Sequence, residues 1–482
     1  MSLAKSGPAI IWYRNDLRVA DNAALLAAGA NGRPVVCLYV RDTASPVRAR
    51  GAAQNWWLHH SLTALDEKLR ALGSRLVFKS GPAQAAIKDV IAQTQAASIC
   101  WNRRYDAAAI PFDSARKAEF KAEGIDVHTF DGQLLHEPTQ IETGGGTPFK
   151  VFTPFWRTVC AGPEPRLPHP APLKLIDGSQ RLHSERLEDW NLLPTKPDWA
   201  GGMREEWTPG EDGAHERLDN FLHGAIDGYA EDRNVPGRLT TSKLSAHLAN
   251  GEITPFQIWH AASKAKGASG RDIEKFRSEV GWREFAYHLL FHFPKLANDN
   301  FNQSFDAFPW GAANPDHLRA WQTGQTGYPI VDAGMRELWV TGWMHNRVRM
   351  VVASFLIKHL LIDWREGEKW FWDKLVDACP ANNPASWQWV AGSGADAAPY
   401  YRIFNPVLQG QKFDGDGAYV RRWVPEIAAL PDKFLHAPWA APLLALKAAG
   451  VQLGLTYPKP IVDHDQARQR ALLAFQSLKG AA

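Results

Sequence analysis

Five short apolar runs punctuate the first third of the chain: Ala9–Tyr13, Val35–Val40, Leu76–Phe78, Ser98–Trp101 and a weaker one at Val127–Phe130. Stretches of helical period, Trp57–Leu72 and Ala83–Gln93, lie between them. Runs that are apolar throughout, alternating with helices, predict a parallel sheet covered on both faces. Residues 1–130 therefore read as a doubly wound, Rossmann-like α/β domain. From Asp131 to Trp207 the periodicity gives way to Pro, Gly and mixed charge, including Gly144–Gly146 and Pro163–Pro170, which predicts a long surface connector. Over residues 208–482 the period is helical, with amphipathic segments at Ala214–Ala225, Lys275–Phe291, Pro315–Thr323, Asp332–Thr341, Met344–Leu361 and Lys369–Leu375. The second domain is expected to be all-α.

Composition narrows the class. The 482 residues are 45% hydrophobic and 22% charged, with a net charge of +3, an ordinary globular balance that permits a polyanionic partner without requiring one. Cys37, Cys100, Cys160 and Cys379 are scattered with no C-x-x-C, which argues against a disulfide framework or a zinc site and for a reducing cytoplasm. No apolar stretch is long enough to span a bilayer, and no targeting signal is visible. G-x-G-x-x-G is absent after the first strand, which disfavours a nicotinamide dehydrogenase. No Lys-Ser/Thr follows Gly144–Gly146 at the spacing of a phosphate loop. His288 and His292 stand i,i+4 without a third ligand and read as helix-face histidines.

Ten of the 21 tryptophans fall between Trp282 and Trp389. Indole is bulky, readily oxidised and a good platform for a nucleobase, so packing, electron transfer and base stacking are all open readings. Two segments sharpen the choice. Thr241–Ser245 gathers hydroxyls at the start of a helical pattern, either a phosphate site or an ordinary N-cap. Along Met344–Met350, Asn346, Arg349 and Met350 share one helix face, an amide, a guanidinium and a thioether that suit a pocket lining, while Arg347 points elsewhere.

Several ordered blocks extend this pattern: Trp12–Arg18, Val151–Phe155, Thr241–Ser245, Glu279–Phe285, Thr326–Asp332, Gly342–Met350, Asp363–Gly367 and Asp396–Pro406. Through them the chain resembles the photolyase and cryptochrome family nearly end to end. The resemblance implies an N-terminal antenna domain, a linker, and a helical domain that holds FAD. It places Tyr229, Thr241, Ser242, Lys243, Leu244 and Ser245 at the FAD phosphates, and Trp282, Arg283, Asn346, Arg349, Asp377 and Asn383 around the flavin and adenine. Arg349 would pair with Asp377, and Asn383 would face flavin N5, where an amide can turn as donor or acceptor. Cys379 departs from the pattern, standing where many relatives carry a second Asp.

The same resemblance implies light-driven repair of cyclobutane pyrimidine dimers. Trp282 and Trp389 would stack on a flipped-out dimer, Glu279 would hydrogen-bond its edges, and Met350 would pack against it beside Asn346. Relatives that repair (6-4) photoproducts use histidines at the positions of Asn346 and Met350; an amide and a thioether cannot serve as that general acid. A cryptochrome-like photoreceptor that signals without repair is the alternative, set back by the presence of Asn383 and Trp282 and by a chain that ends soon after Pro458–Val462. Trp387, Trp364 and Trp310 match the family's electron relay. A second branch through Trp370, Trp372 and Trp389 is conceivable, with packing the stronger reading for those three. Arg233, Arg347 and Arg402, with Lys412 weaker, are the candidates for DNA phosphates. The antenna chromophore is expected to be methenyltetrahydrofolate, with a deazaflavin or none as alternatives, and the protein a monomer.

Overall fold

A computed structural model describes residues 7–311, 314–398 and 400–480; Pro399, within the Asp396–Pro406 block, lies outside them. Strands β1 (Ala9–Tyr13), β2 (Pro34–Asp42), β3 (Leu76–Gly81), β4 (Ser98–Asn102) and β5 (Asp126–Phe130) form a parallel sheet in the order β3-β2-β1-β4-β5. Every residue of β1 is buried, because successive side chains enter different layers: Ala9, Ile11 and Tyr13 join one apolar cluster, Ile10 and Trp12 the other. All five predicted strands are present.

The connector is more structured than its composition suggests. Ile176–Asp177 forms β6, which pairs in parallel with the start of β2, Pro34 opposite Ile176. Phe152–Ala161 forms a helix, here α2, which buries Phe152, Phe155 and Val159 in one cluster with Phe285, Leu289 and Leu290. Pro154 falls in its first turn, where the missing N–H carries no helical bond. Ten residues with an early proline give too short a period to stand out in the sequence.

In the helical region α3 (Gly270–His292) starts at Ser269, whose hydroxyl accepts from the Asp272 N–H. Next come α4 (Pro329–Thr341), stopped by Gly342 at φ 68°, and α5 (Asn346–Ser354). The single helix expected over Met344–Leu361 instead breaks into α5 and a π turn at Phe355–His359. Then α6 (Trp364–Lys374) and α7 (Asn382–Ala391) pack side by side.

The sheet domain also supplies the long helix α1 (Ala52–Ala71), and it is bolted to the helical region by buried polar contacts. Arg18 donates to the carbonyls of Gly251 (2.8 Å) and Gly132 (3.1 Å), and Glu211 accepts from the N–H groups of Val19 and Ala20. The Trp57 indole donates to Glu252 at 2.8 Å, and Gln54 donates to the Ala378 carbonyl at 2.7 Å. Among the described residues no helix is long and apolar enough to cross a membrane.

Candidate functional site

Three groups of residues converge between α3, α5, α6 and α7. The first is polar and buried. Arg349 makes a bidentate pair with Asp377, Nη1–Oδ1 3.1 Å and Nη2–Oδ2 2.8 Å, and its Nε donates to the Met344 carbonyl at 2.7 Å. The Asp377 side chain is 3% exposed, so the fork of donors compensates a carboxylate that water does not reach. Nearby, the Asn383 amide nitrogen donates to both the carbonyl (3.0 Å) and the carboxylate (2.8 Å) of Glu368. Glu368 is in turn held by Arg48 of the sheet domain at 2.7 Å. With Nδ2 engaged, Oδ1 is the atom Asn383 has left to offer a ligand.

The hydroxyl-rich segment Thr241–Ser245 lies before a helix of only six residues, Ser245–Asn250, whose N-cap position is Leu244 with no side-chain cap. So short a helix adds little dipole, and two of the hydroxyls already have partners: Ser242 Oγ accepts from the Leu244 N–H at 3.4 Å and Ser245 Oγ from the Trp343 indole at 3.2 Å. Lys243 (φ 51°) directs its ammonium to Glu206 at 2.6 Å and over the Trp343 ring, so the side chain read as a phosphate contact is already engaged. Tyr229 is buried, which pushes its phenol up to about 12 and keeps it neutral. His345 caps α5, its Nδ1 accepting from the Arg347 N–H at 3.2 Å. Burial, with Arg233, Arg347, Arg349 and Lys243 around it, pushes this imidazole down to about 3. Three of those cations are themselves paired, Arg233 with Glu279, Arg349 with Asp377 and Lys243 with Glu206.

The second group is an aromatic slot. The ring of Trp282 stacks on Phe152 at 3.7 Å and 10°, so one indole face is backed by α2. Glu279, one turn earlier on α3, pairs with Arg233 at 2.6 Å and Lys275 at 2.8 Å. Arg347 donates to Asn234 at 2.6 Å, lies over Phe413, and has the Met350 sulfur 3.8 Å from Nη1. Its pKa is lowered by burial first and then by Arg233 and Arg402. Arg233, itself paired with Glu279, and Arg402 thus stand close enough to Arg347 to weigh on its charge, which gathers the three arginines singled out for phosphates in one neighbourhood. Arg402 approaches the Trp389 ring at 5.9 Å, and the Trp389 indole N–H donates to the Asp396 carbonyl at 3.0 Å. Asn346 is exposed at the start of α5.

The third group is the relay set. Trp387 and Trp364 are buried in one apolar cluster, with the partly buried Trp310 packed against it. Trp364 donates to Asn300 at 3.0 Å, and Trp310 meets Phe308 at 4.4 Å. Gly367 makes room for Trp387: a Cβ there would come 2.1 Å from the indole edge. Gly367→Ala is therefore expected to lose about 1–3 kcal/mol by overpacking. It should also slow photoreduction of bound flavin, read by thermal unfolding and by flavin bleaching under blue light.

One residue of the implied FAD set is drawn elsewhere. Arg283 donates to the Gln133 carbonyl at 2.9 Å and to Glu284 at 3.2 Å, bracing α3 against the segment after β5. Adjacent positions on a helix diverge by about 100°, so Trp282 and Arg283 serve different neighbours. Cys379 is buried; Asn382 donates to its sulfur, and the sulfur lies 3.4 Å from the Tyr287 hydroxyl. Phe152, Glu368 and Arg48 were not singled out from sequence, although Phe152 sits inside the Val151–Phe155 block.

Fold and site together define a two-domain protein whose helical region buries the Asp377 carboxylate against Arg349 and carries stacked aromatics near Arg233, Arg347 and Arg402. A family profile described as DNA photolyase matches residues 9–172, and one for the FAD binding domain of DNA photolyase matches residues 276–477. The chain is 55% identical to the deoxyribodipyrimidine photo-lyase of Agrobacterium fabrum over 99% of both chains. It is 37% identical to cryptochrome-1 of Arabidopsis thaliana over 96% of this chain and 69% of the cryptochrome. The crystal structure of a bacterial class III photolyase from Agrobacterium tumefaciens superposes with a TM-score of 0.96, covering 99% of each chain at 55% identity. The chain belongs to the DNA photolyase family.

Proposed function

We propose that this protein is a deoxyribodipyrimidine photo-lyase that repairs cyclobutane pyrimidine dimers in DNA under blue light. The observation that carries the proposal is a set of local contacts: Trp282 stacked on Phe152, Glu279 one turn earlier and paired with Arg233, Trp389 beside Arg402, and Arg347 within the influence of both arginines. A dimer turned out of the helix loses its stacking neighbours, and the two indoles replace them while Arg233, Arg347 and Arg402 take the flanking phosphates. Glu279, released by Arg233 as that arginine meets phosphate, accepts from the pyrimidine edge; Met350 fills the side of the slot next to Asn346.

When bound, reduced FAD supplies the photoexcited electron that opens the dimer. The residues fit it: the Thr241–Ser245 segment and Tyr229 for the phosphates, the Arg349–Asp377 pair and Asn346 alongside, and the Asn383 Oδ1 for a ring N–H. Trp310, Trp364 and Trp387 line the inward route for an electron from the surface. At the carboxyl ends of β1 and β4, where the strand order reverses, Arg14 holds Asp113 and the Asn102 carbonyl. The antenna is proposed as methenyltetrahydrofolate, with a deazaflavin or none as alternatives. The four cysteines are all free thiols, which supports a cytoplasmic setting, and a monomer is proposed.

The test is loss of cyclobutane dimers from UV-treated DNA on illumination of pre-reduced protein, with a dark control. Light-dependent loss supports the repair reading. No loss from protein with fully reduced, bound FAD would turn the assignment to a photoreceptor, the alternative reading.

A further inference from the structure

Lys358 is 2% exposed, a rare place for an ammonium group. It stands in the π turn at Phe355–His359, which follows directly on α5. Its Nζ donates to the Arg402 carbonyl and lies 4.4 Å from the centre of the Tyr401 ring. Four positions earlier the buried Ser354 hydroxyl accepts the Phe404 N–H at 3.3 Å. Two side chains of one helical turn therefore hold the same stretch of main chain.

That stretch, residues 401–405, has no helix or strand of its own, so its main-chain groups must find partners elsewhere. Its ends are fixed. Tyr401 is buried and stacks on Phe475 at 4.5 Å and 4°. Asn405 caps the helix Pro406–Phe413, its side chain accepting from the N–H groups of Val407 (3.0 Å) and Leu408 (3.2 Å). Between them Arg402 is half-buried, its Nε donating to the Tyr400 hydroxyl at 3.1 Å and its guanidinium 5.9 Å from the Trp389 ring. Among the described residues the Arg402 main chain has no hydrogen bond other than the one from Lys358.

We propose that Lys358 is a positioning residue: by anchoring the Arg402 carbonyl to the helical core it aims the Arg402 guanidinium at a phosphate of bound DNA. The inference rests on the reading of Arg402 as a phosphate contact. Burial pushes the Lys358 amine down to about 7, and the Arg402 charge acts in the same direction. An apolar side chain of similar length would carry no such desolvation penalty, so the position needs the N–H donor rather than the packing.

The test uses FAD-loaded full-length protein and follows DNA affinity against salt concentration. Arg402→Ala should lower the slope of log affinity on log salt by about one and weaken binding about tenfold near ~0.1 M salt. Damaged and undamaged duplexes should lose alike, since a phosphate contact carries no base information. Lys358→Met should weaken both duplexes about three- to tenfold, again with a shallower slope, and should change nothing further when added to R402A. Loss of positive charge alone would weaken both backgrounds equally, which separates positioning from a field effect. Lys358→Gln, whose donor sits one bond closer to the main chain, takes the same place should the methionine variant not accumulate. Parent-like binding by K358M, or a further loss when it is added to R402A, would each overturn the proposal. If R402A itself binds as the parent does, the phosphate reading of Arg402 fails and the proposal with it. A weakened R402A beside an unaffected K358M leaves that reading standing and removes only Lys358.

Discussion

Asp377→Ala is expected to yield protein that purifies without stoichiometric FAD and unfolds at a markedly lower temperature. The substitution removes a carboxylate that is 3% exposed and accepts two hydrogen bonds from one guanidinium. Arg349 would be left with its charge beside the flavin site and only the Met344 carbonyl as partner. Breaking a buried pair from one side costs about 3–5 kcal/mol. The Arg349 side chain is 24% exposed, so solvent screens part of that loss and the lower end applies. Asp377→Asn, which keeps an acceptor, should fall between the parent and the alanine variant. Flavin absorbance per protein and a melting curve measure both effects; an alanine variant with full flavin content and the parent's melting temperature would falsify the role given to the pair.

Trp282→Ala should have the next largest effect, on lesion recognition rather than on folding. Stacking of one base on an aromatic side chain is worth about 1–3 kcal/mol, which corresponds to roughly a ten- to hundredfold loss in affinity for dimer-containing DNA. Undamaged DNA, held by phosphate contacts to Arg233, Arg347 and Arg402, should bind nearly as before. Phe152 would lose its stacking partner, so a small fall in stability is also expected. Anisotropy titrations with a matched pair of damaged and undamaged oligonucleotides give the answer; an equal loss on both would place Trp282 outside the lesion pocket.

Much of the architecture is legible in the sequence because it follows from local rules. β1 reads as a buried parallel strand since none of its five residues is polar. Asn346, Arg349 and Met350 fall on one face of α5 because helical spacing alone puts them there, with Asn346 exposed at its start. What escapes is whatever depends on residues far apart in the chain. Glu368 meets Asn383 only because α6 and α7 lie side by side, and its partner Arg48 is 320 positions away. The stacking of Phe152 on Trp282 requires that the connector fold into α2, a helix too short to announce itself. Arg283 illustrates the converse: it stands beside Trp282 in a motif, yet its Nη1 donates to the Gln133 carbonyl and Glu284, because neighbours on a helix point to different surroundings.

The chain of contacts from Arg48 through Glu368 to Asn383, together with β6 paired to β2 and the Trp57–Glu252 bond, bears on how the molecule melts. Chains this long often unfold piecewise, one domain at a time. Here the Asn383 amide donates to Glu368, which a guanidinium from the other domain holds, so neither half keeps its native contacts once the other is lost. Scanning calorimetry should accordingly show one endotherm whose van't Hoff and calorimetric enthalpies agree, with Arg48→Ala splitting it into two.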